Sequence, residues 1–186
     1  ALTFSHDVEH SLAAVVELVN TDPAAGGQEL LPDVPALAAF VKEHEISDVG
    51  RLTRDDVDAV HTIRPKLRKV FLAETPERAA ELLNGILRSF QVTPRLTDHG
   101  GYGWHIHYFP AGAALAEHLV IDGGMALAFV VTAGESERLR TCDAPDCDRV
   151  LVDLSRNRSK RYCDSRTCGN RLHVAAYRER QRAAAG

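Results

Sequence analysis

The stretch that decides the fold reads Cys-Asp-Ala-Pro-Asp-Cys at 142–147 and, after fifteen intervening residues, Cys-Asp-Ser-Arg-Thr-Cys at 163–168. These four cysteines are the only ones among 186 residues. Two short-spaced pairs can direct four thiolates to one point, which is what a tetrahedral structural zinc ion requires. The spacing therefore predicts one structural zinc ion, and its ligands would be Cys142, Cys147, Cys163 and Cys168.

Disulfide bonds or unpaired buried cysteines are the alternatives, and disulfides need an oxidising compartment. The first nine residues carry His6, Asp7 and Glu9 instead of a basic start followed by an apolar run, so we expect no export signal. The most apolar segment, residues 125–133, is shorter than the roughly 20 residues of a membrane span. We therefore expect a soluble, cytoplasmic protein with reduced thiols and no membrane contact.

Charge is divided unevenly along the chain. Residues 138–182 carry 12 lysines and arginines against 6 acidic residues, whereas the remainder carries 10 against 20. Even with four thiolates bound to zinc, this tail would keep a charge of about +4. A basic tail on an acidic body predicts a polyanion-binding module attached to a separate regulatory or scaffolding domain.

The body reads as mostly helical. Apolar residues recur at helical spacing in residues 6–20, and Thr21-Asp22-Pro23 ends that helix. Further helices are expected after the capping residues Asp33, Thr53 and Thr75, with a kink at Pro65. Residues 111–133 form the last predicted helix of the body, with Gly134 as its C-cap. The predicted class is mainly α with a small β-hairpin (α+β): a helical domain at 1–137 and a small four-cysteine zinc-finger domain at 138–186.

Residues 94–109 break the helical pattern. The period-two stretch Trp104-His105-Ile106-His107-Tyr108 follows Gly100-Gly101 and predicts a β-hairpin. His105 and His107 share one face of that strand and, with His99 or His118, form a candidate second metal or small-ligand site. The simpler interpretation is a half-exposed strand whose polar face uses histidine, because no carboxylate or cysteine lies at a supporting spacing. We therefore expect no catalytic metal in the body, which also lacks GxSxG, HExxH and phosphate-loop motifs.

The tail combines a short predicted strand within residues 148–153, a basic loop at 155–161 and a helix at 167–182. The loop carries four positive charges beside serine and asparagine side chains that can donate to phosphates. A helix that begins at a zinc site beside such a loop suits nucleic acid. The alternatives are a solvated basic face or arginines that balance the charge of the thiolate-bound metal. The candidate DNA-binding residues are Arg156, Arg158, Lys160, Arg161, Arg171, Arg178 and Arg182.

The spacing Cys142-x4-Cys147, the run Asp153-x-Ser155-Arg156-Asn157-x-Ser159-x-Arg161-Tyr162-Cys163 and the tetrapeptide Cys168-Gly169-Asn170-Arg171 together resemble the CGNR zinc-finger family. The body resembles the ABATE domain that usually precedes this finger, through Leu18-Val19-Asn20-Thr21, the 64–68 stretch, Leu83-Asn84 and the approach to Arg140-x-Cys142. Tyr162 and Leu151 depart from the family, which commonly has tryptophan at the first position and an aromatic residue at the second. Both exchanges concern packing, not metal ligation.

The resemblance implies a bacterial transcription regulator that binds DNA through the zinc module and senses a signal through the body. Because the body shows no catalytic constellation, we expect that the protein is not an enzyme. It makes the four cysteines the metal ligands and lets Gly169 bring its N–H to a sulfur. Asn170 would brace the finger, and Arg171 would pair with Asp153 or contact phosphate. The partner expected is double-stranded DNA, with a small-molecule effector and a homodimer left open. The competing hypotheses are a protein–protein adaptor with a purely structural zinc site and a metalloenzyme centred on His105 and His107.

Overall fold

The computed structural model of the chain describes residues 4–98 and 103–171, together with residues 174, 177, 178, 181 and 182. Within these residues the α-helices are α1 (His6–Asn20), α2 (Pro23–Gly26), α3 (Val34–Glu43), α4 (Arg54–Phe71), α5 (Pro76–Leu87) and α6 (Leu115–Thr132). Two antiparallel hairpins pair β1 (Arg95–Asp98) with β2 (Trp104–His107) and β3 (Leu139–Thr141) with β4 (Val150–Val152). The predicted mainly helical α+β class is confirmed.

Short polar side chains fix the starts of the body helices, because they accept hydrogen bonds from N–H groups that have no partner inside the helix. Asp33 accepts from the N–H of Ala36 at 2.9 Å and so begins α3. At the start of α4, the carboxylate of Asp56 accepts from the N–H of Thr53 at 2.8 Å. This helix continues through Pro65 to its end at Phe71. The sequence signals for these helix starts were therefore reliable.

Helix α6 is the central helix of the core and packs against α1, α4 and α5. Gly123 and Gly124 lie in its middle, where a Cβ atom would approach Val15 and Leu87 to 3.0 Å. These glycines therefore let α1 and α5 lie close to α6. Gly134 follows the helix with a φ of 71°, and Glu135 N–H bonds the carbonyl of Val130 at 3.1 Å, which closes a Schellman turn.

The apolar segment that forms α6, Leu115–Thr132, is longer than the segment at 125–133 that the sequence indicated. Helix α6 has 18 residues and, by length and composition alone, could cross a membrane. No other helix in the described part of the chain meets the same criterion. In the folded chain, 61% of this segment is buried. Its hydrophobicity therefore matches its place at the centre of the core.

The β3–β4 hairpin packs directly on the helical body. Leu139, Val150 and Val152 belong to the same buried hydrophobic cluster as the body helices. The side-chain amide of Asn20, buried in α1, donates to the carbonyl of Val150 at 2.9 Å and accepts from its N–H at 2.8 Å. Arg68 of α4 donates to the carbonyl of Asp148 at 2.6 Å. The start of the cysteine-rich segment is thus fixed to α1 and α4, and the boundary at 137/138 stays a prediction.

Candidate metal centres and nucleic-acid interface

The four cysteine sulfurs meet at one point beyond the β3–β4 hairpin. All four Sγ atoms lie within 4.8 Å of one another, and the Cys147–Cys163 and Cys163–Cys168 Sγ distances are both 3.7 Å. A tetrahedral zinc ion with Zn–S bonds of about 2.3 Å places its sulfurs about 3.8 Å apart. A disulfide needs about 2.05 Å, so these thiols are free. The arrangement fits one zinc ion.

Backbone contacts around this cluster fix the direction of the thiols. Cys163 N–H donates to the sulfur of Cys142 at 3.4 Å. The resemblance implied a similar role for Gly169, but this was wrong: its N–H donates to the carbonyl of Asp164 at 3.0 Å. Burial and the neighbouring thiols raise the pKa of Cys163 well above its ordinary value. Four adjacent thiolates therefore require a cation, and a bound Zn²⁺ deprotonates its thiol ligands.

A buried carboxylate organises the basic loop. Asp153 is fully buried and accepts from the N–H of Ser155 at 2.9 Å, from its hydroxyl at 2.5 Å and from the N–H of Lys160 at 2.9 Å. Burial favours the neutral acid, but these hydrogen bonds and nearby Arg140 outweigh it and hold the pKa of Asp153 below its ordinary value. The loop is therefore folded around an ionised carboxylate, with its charged side chains directed outward.

Arg138 connects this loop to the end of the body. It is buried, and its guanidinium donates to Glu135 at 2.6 Å and to the carbonyls of Asp153 and Ser155 at 2.6 and 2.9 Å. Glu135 also pairs with Arg158 of the loop at 2.9 Å. Arg138 is consequently a structural residue, not a candidate for contact with a ligand.

The structure divides the candidate DNA-binding residues into two groups. Three are paired with carboxylates: Arg158 with Glu135 and Glu137, Arg161 with Asp143, and Arg171 with Asp146. The remaining four side chains are exposed and make no ion pair with the described part of the chain: Arg156, Lys160, Arg178 and Arg182.

Of the two roles left open for Arg171, the pair with Asp153 is not formed. Arg171 donates two parallel hydrogen bonds to Asp146, at 2.6 and 2.7 Å, and lies 4.0 Å from the sulfur of Cys168. Asp153 is instead enclosed by the loop it organises. Arg171 therefore ties the second cysteine pair to the turn of the first.

The helical segment that begins within the second cysteine pair starts with a wide turn. Residues Ser165–Gly169 form a π-helix, and Asn170 and Arg171 continue as α-helix. Tyr177, Arg178 and Arg182 are also helical and exposed. The predicted α-helix from residue 167 is thus corrected at its first turn, and residues 172–173, 175–176 and 179–180 lie outside the described residues.

The body holds a second cluster of candidate metal ligands. His105 and His107 are buried, with 8% and 6% of their surface exposed, whereas Trp104 and Ile106 are 75% and 45% exposed. The strand is half-exposed, as interpreted, but its histidine face packs inward on α6 and its apolar face is the exposed one. His99, which the sequence grouped with them, lies outside the described residues.

Below these histidines, α6 contributes His118 and Asp122. His118 Nε2 lies 3.3 Å from Asp122 Oδ2, and His107 Nδ1 lies 3.9 Å from the same oxygen. Tyr108 N–H donates to the other carboxylate oxygen at 3.3 Å. A cavity of about 90 Å³ between α1, β2 and α6 is lined by this cluster. Sequence reasoning missed Asp122, although its distance of four residues from His118 places both on one helix face.

A helical body joined to a four-thiolate site defines a zinc-finger protein. Residues 138–181 match the CGNR zinc finger, and residues 12–122 match ABATE, a family described as a "putative stress-induced transcription regulator". Because the second match spans more than half of the chain, the protein belongs to the ABATE family, and it carries a C-terminal CGNR zinc finger. Together with the cysteine cluster, this gives one structural zinc ion. No curated protein matches the chain.

Proposed function

We propose that this protein is a cytoplasmic transcription regulator that binds duplex DNA through its zinc module and has no catalytic activity. The zinc ligands would be Cys142, Cys147, Cys163 and Cys168. The carrying observation is the loop at 155–161, which is folded around the buried Asp153 carboxylate and presents exposed cations beside the cysteine cluster. A preformed basic loop can neutralise phosphates at a small ordering cost.

The cations that have no carboxylate partner among the described residues are the better candidates for phosphate contact. Arg156 and Lys160 project from the loop, and Arg178 and Arg182 are exposed on the following helix. These four would supply most of the electrostatic affinity. A smaller part of the electrostatic affinity would come from Arg158, Arg161 and Arg171. Each is in an ion pair with a carboxylate, but an exposed ion pair is worth only about 0–1 kcal/mol, so a phosphate can replace the carboxylate.

The body would supply the regulatory input. A groove of about 580 Å³ runs between α1, β2 and α6, next to the histidine cluster, and is lined in part by Phe4, Trp104, Tyr108 and Phe129. Its size and aromatic lining are typical of a site for a small-molecule effector. The Schellman turn after α6 leads through Arg138 to the zinc module, so a change at this groove has a short physical path to the finger.

The test is binding of the zinc-loaded protein to random-sequence duplex DNA, followed by fluorescence anisotropy over a series of salt concentrations. Each phosphate contact contributes about 0.9 to the log–log salt slope. Replacing Arg156, Lys160, Arg178 and Arg182 together by alanine should therefore lower the slope by about 3.6. Arg51→Ala, which removes an exposed arginine from the body, is the control and should leave the slope unchanged.

Zinc content and thermal melting of the quadruple variant show whether it is folded. If it folds, keeps its zinc and binds DNA as tightly as the parent protein, the tail is not a nucleic-acid module. Selection of bound sequences from random duplexes would then identify no preferred site. A parent protein that binds DNA in this assay can be carried into that selection to identify its target.

One observation favours the adaptor hypothesis as the second candidate. The outer face of the β1–β2 hairpin exposes Leu96, Trp104 and Ile106, at 70%, 75% and 45%. Leu96 and Ile106 are direct cross-strand partners, so they form a continuous apolar surface. Salt separates the two functions, because apolar association does not weaken with salt as phosphate binding does.

A further inference from the structure

In the body, three side chains from two secondary-structure elements lie close together, and they are of the types that bind transition-metal ions. His107 comes from β2, while His118 and Asp122 come from successive turns of α6. One donor atom of each lies within 4.8 Å of the others, and both histidines are buried. Two imidazoles and one carboxylate form the donor set that proteins use for divalent first-row metals with open coordination positions.

A chain of hydrogen bonds determines which nitrogen of neutral His107 carries the proton. The carbonyl of Gly103 can only accept, so His105 Nδ1, at 2.8 Å, carries the proton. The lone pair of neutral His105 is then at Nε2, and the 3.0 Å contact with His107 Nε2 places a proton on the latter. In neutral His107 the remaining lone pair is at Nδ1, which faces the Asp122 carboxylate. Two electron-pair donors directed at each other are stabilised by a cation between them.

We propose that His107 Nδ1, His118 Nε2 and Asp122 Oδ2 bind a divalent transition-metal ion, separate from the zinc held by the four cysteines. His105 is a positioning residue that fixes the tautomer of His107, as partners of metal-bound histidines do. The Tyr108 N–H holds the second carboxylate oxygen in place. The proposal adds a second ion to the one structural zinc ion expected from the sequence, and it stands independently of DNA binding.

The distances fit this assignment with little movement. Two ligands on a tetrahedral zinc with bonds of about 2.0–2.1 Å lie about 3.3 Å apart. The His118–Asp122 separation is 3.3 Å, and the His107–Asp122 separation of 3.9 Å needs a small rotation of one side chain. The remaining coordination positions face the cavity of about 90 Å³, which has room for water. The ion therefore has three protein ligands and an open side.

The test is a metal count on the full-length protein after incubation with zinc and removal of loosely bound ions. We expect two zinc ions per chain in the parent protein. Asp122→Asn and His118→Asn should each reduce the count to one and weaken binding of the second ion by more than about 100-fold, since loss of a mere positioning partner costs 10–100-fold. For His105→Ala, the loss of affinity for the second ion should lie within this 10–100-fold range. The control variant His44→Asn changes a histidine outside the cluster and should keep two zinc ions per chain.

Cobalt distinguishes the two sites in the same molecule. Co²⁺ bound by the cysteines gives thiolate charge-transfer bands in the near ultraviolet, whereas Co²⁺ bound by imidazole and carboxylate gives only weak visible bands. Asp122→Asn should lose the second signal and keep the first. A parent protein that binds one ion only, or folded Asp122→Asn and His118→Asn variants that keep two, would overturn the proposal. The count on the parent protein is decisive even if a variant does not fold.

Discussion

The helical body and the zinc finger are each stabilised by different interactions. The body buries aliphatic side chains from α1, α4, α5 and α6 in one continuous cluster. Around the metal site, the buried cluster among the described residues consists of Cys142, Ala144 and Cys168, with Cys147, Tyr162 and Cys163 partly buried beside it. So few apolar groups cannot stabilise a fold. The comparison teaches that metal ligation and buried polar contacts replace the hydrophobic core in the finger.

The largest expected effect comes from removing one thiolate. Cys163→Ser should release the zinc and unfold residues beyond the hairpin, because a structural zinc ion supplies about 10–16 kcal/mol of apparent binding free energy. The helical body should remain folded on its own core. Zinc content, circular dichroism and hydrogen exchange measure the two outcomes separately, and chelation of the parent protein is the control. A Cys163→Ser protein with full zinc occupancy would contradict the ligand assignment.

A smaller effect is expected at the junction between the two regions. Asn20→Ala removes both hydrogen bonds to the buried backbone of Val150, and each group left without a partner costs about 1–3 kcal/mol. The free energy of unfolding should therefore fall by about 2–6 kcal/mol, with faster hydrogen exchange in β4. Denaturant unfolding provides the measurement. Asn84→Ala, at an exposed position of α5, is the control, and an equal loss there would show that the junction has no special role.

The smallest effect concerns the acid sensitivity of the body. Hydrogen bonds from buried Arg64, at 2.6 and 2.7 Å, outweigh burial and lower the pKa of Glu29. A carboxyl whose folded-state pKa is lowered contributes stability above its unfolded pKa, about 4.3, and loses it as the pH falls through the folded-state value. Glu29→Gln should therefore make the body's free energy of unfolding less dependent on pH below about 4.3.

The measurement is denaturant unfolding of the body at several pH values in the Cys163→Ser background, which removes the contribution of zinc release. Glu81→Gln is the matched control, because Glu81 pairs with Arg78 on the exposed face of α5. Its pH dependence should equal that of the parent. If Glu29→Gln and Glu81→Gln behave alike, the Glu29–Arg64 pair does not contribute to the acid response.

The sequence by itself determined the features that depend on neighbours along the chain. The cysteine spacing indicated the zinc site because each pair of ligands lies on one short turn. Asp33, Thr53 and Thr75 marked helix starts because a capping side chain bonds N–H groups two or three residues later. The alternation at 104–108 indicated β2 because side chains on a strand point to opposite faces in turn.

Only the tertiary structure decided which groups from distant segments meet. The alternation at β2 could not tell which face is buried, and the packing of α6 placed the histidines inside and Trp104 outside. Asp122 follows His107 by fifteen residues in the sequence, and it lies beside the histidines because two turns of α6 pack below β2. Likewise, Arg171 pairs with Asp146 and not with Asp153, because Asp153 is enclosed by the loop at 155–161. Local rules fix spacing along the chain, whereas the partner of a buried polar group depends on which elements pack together.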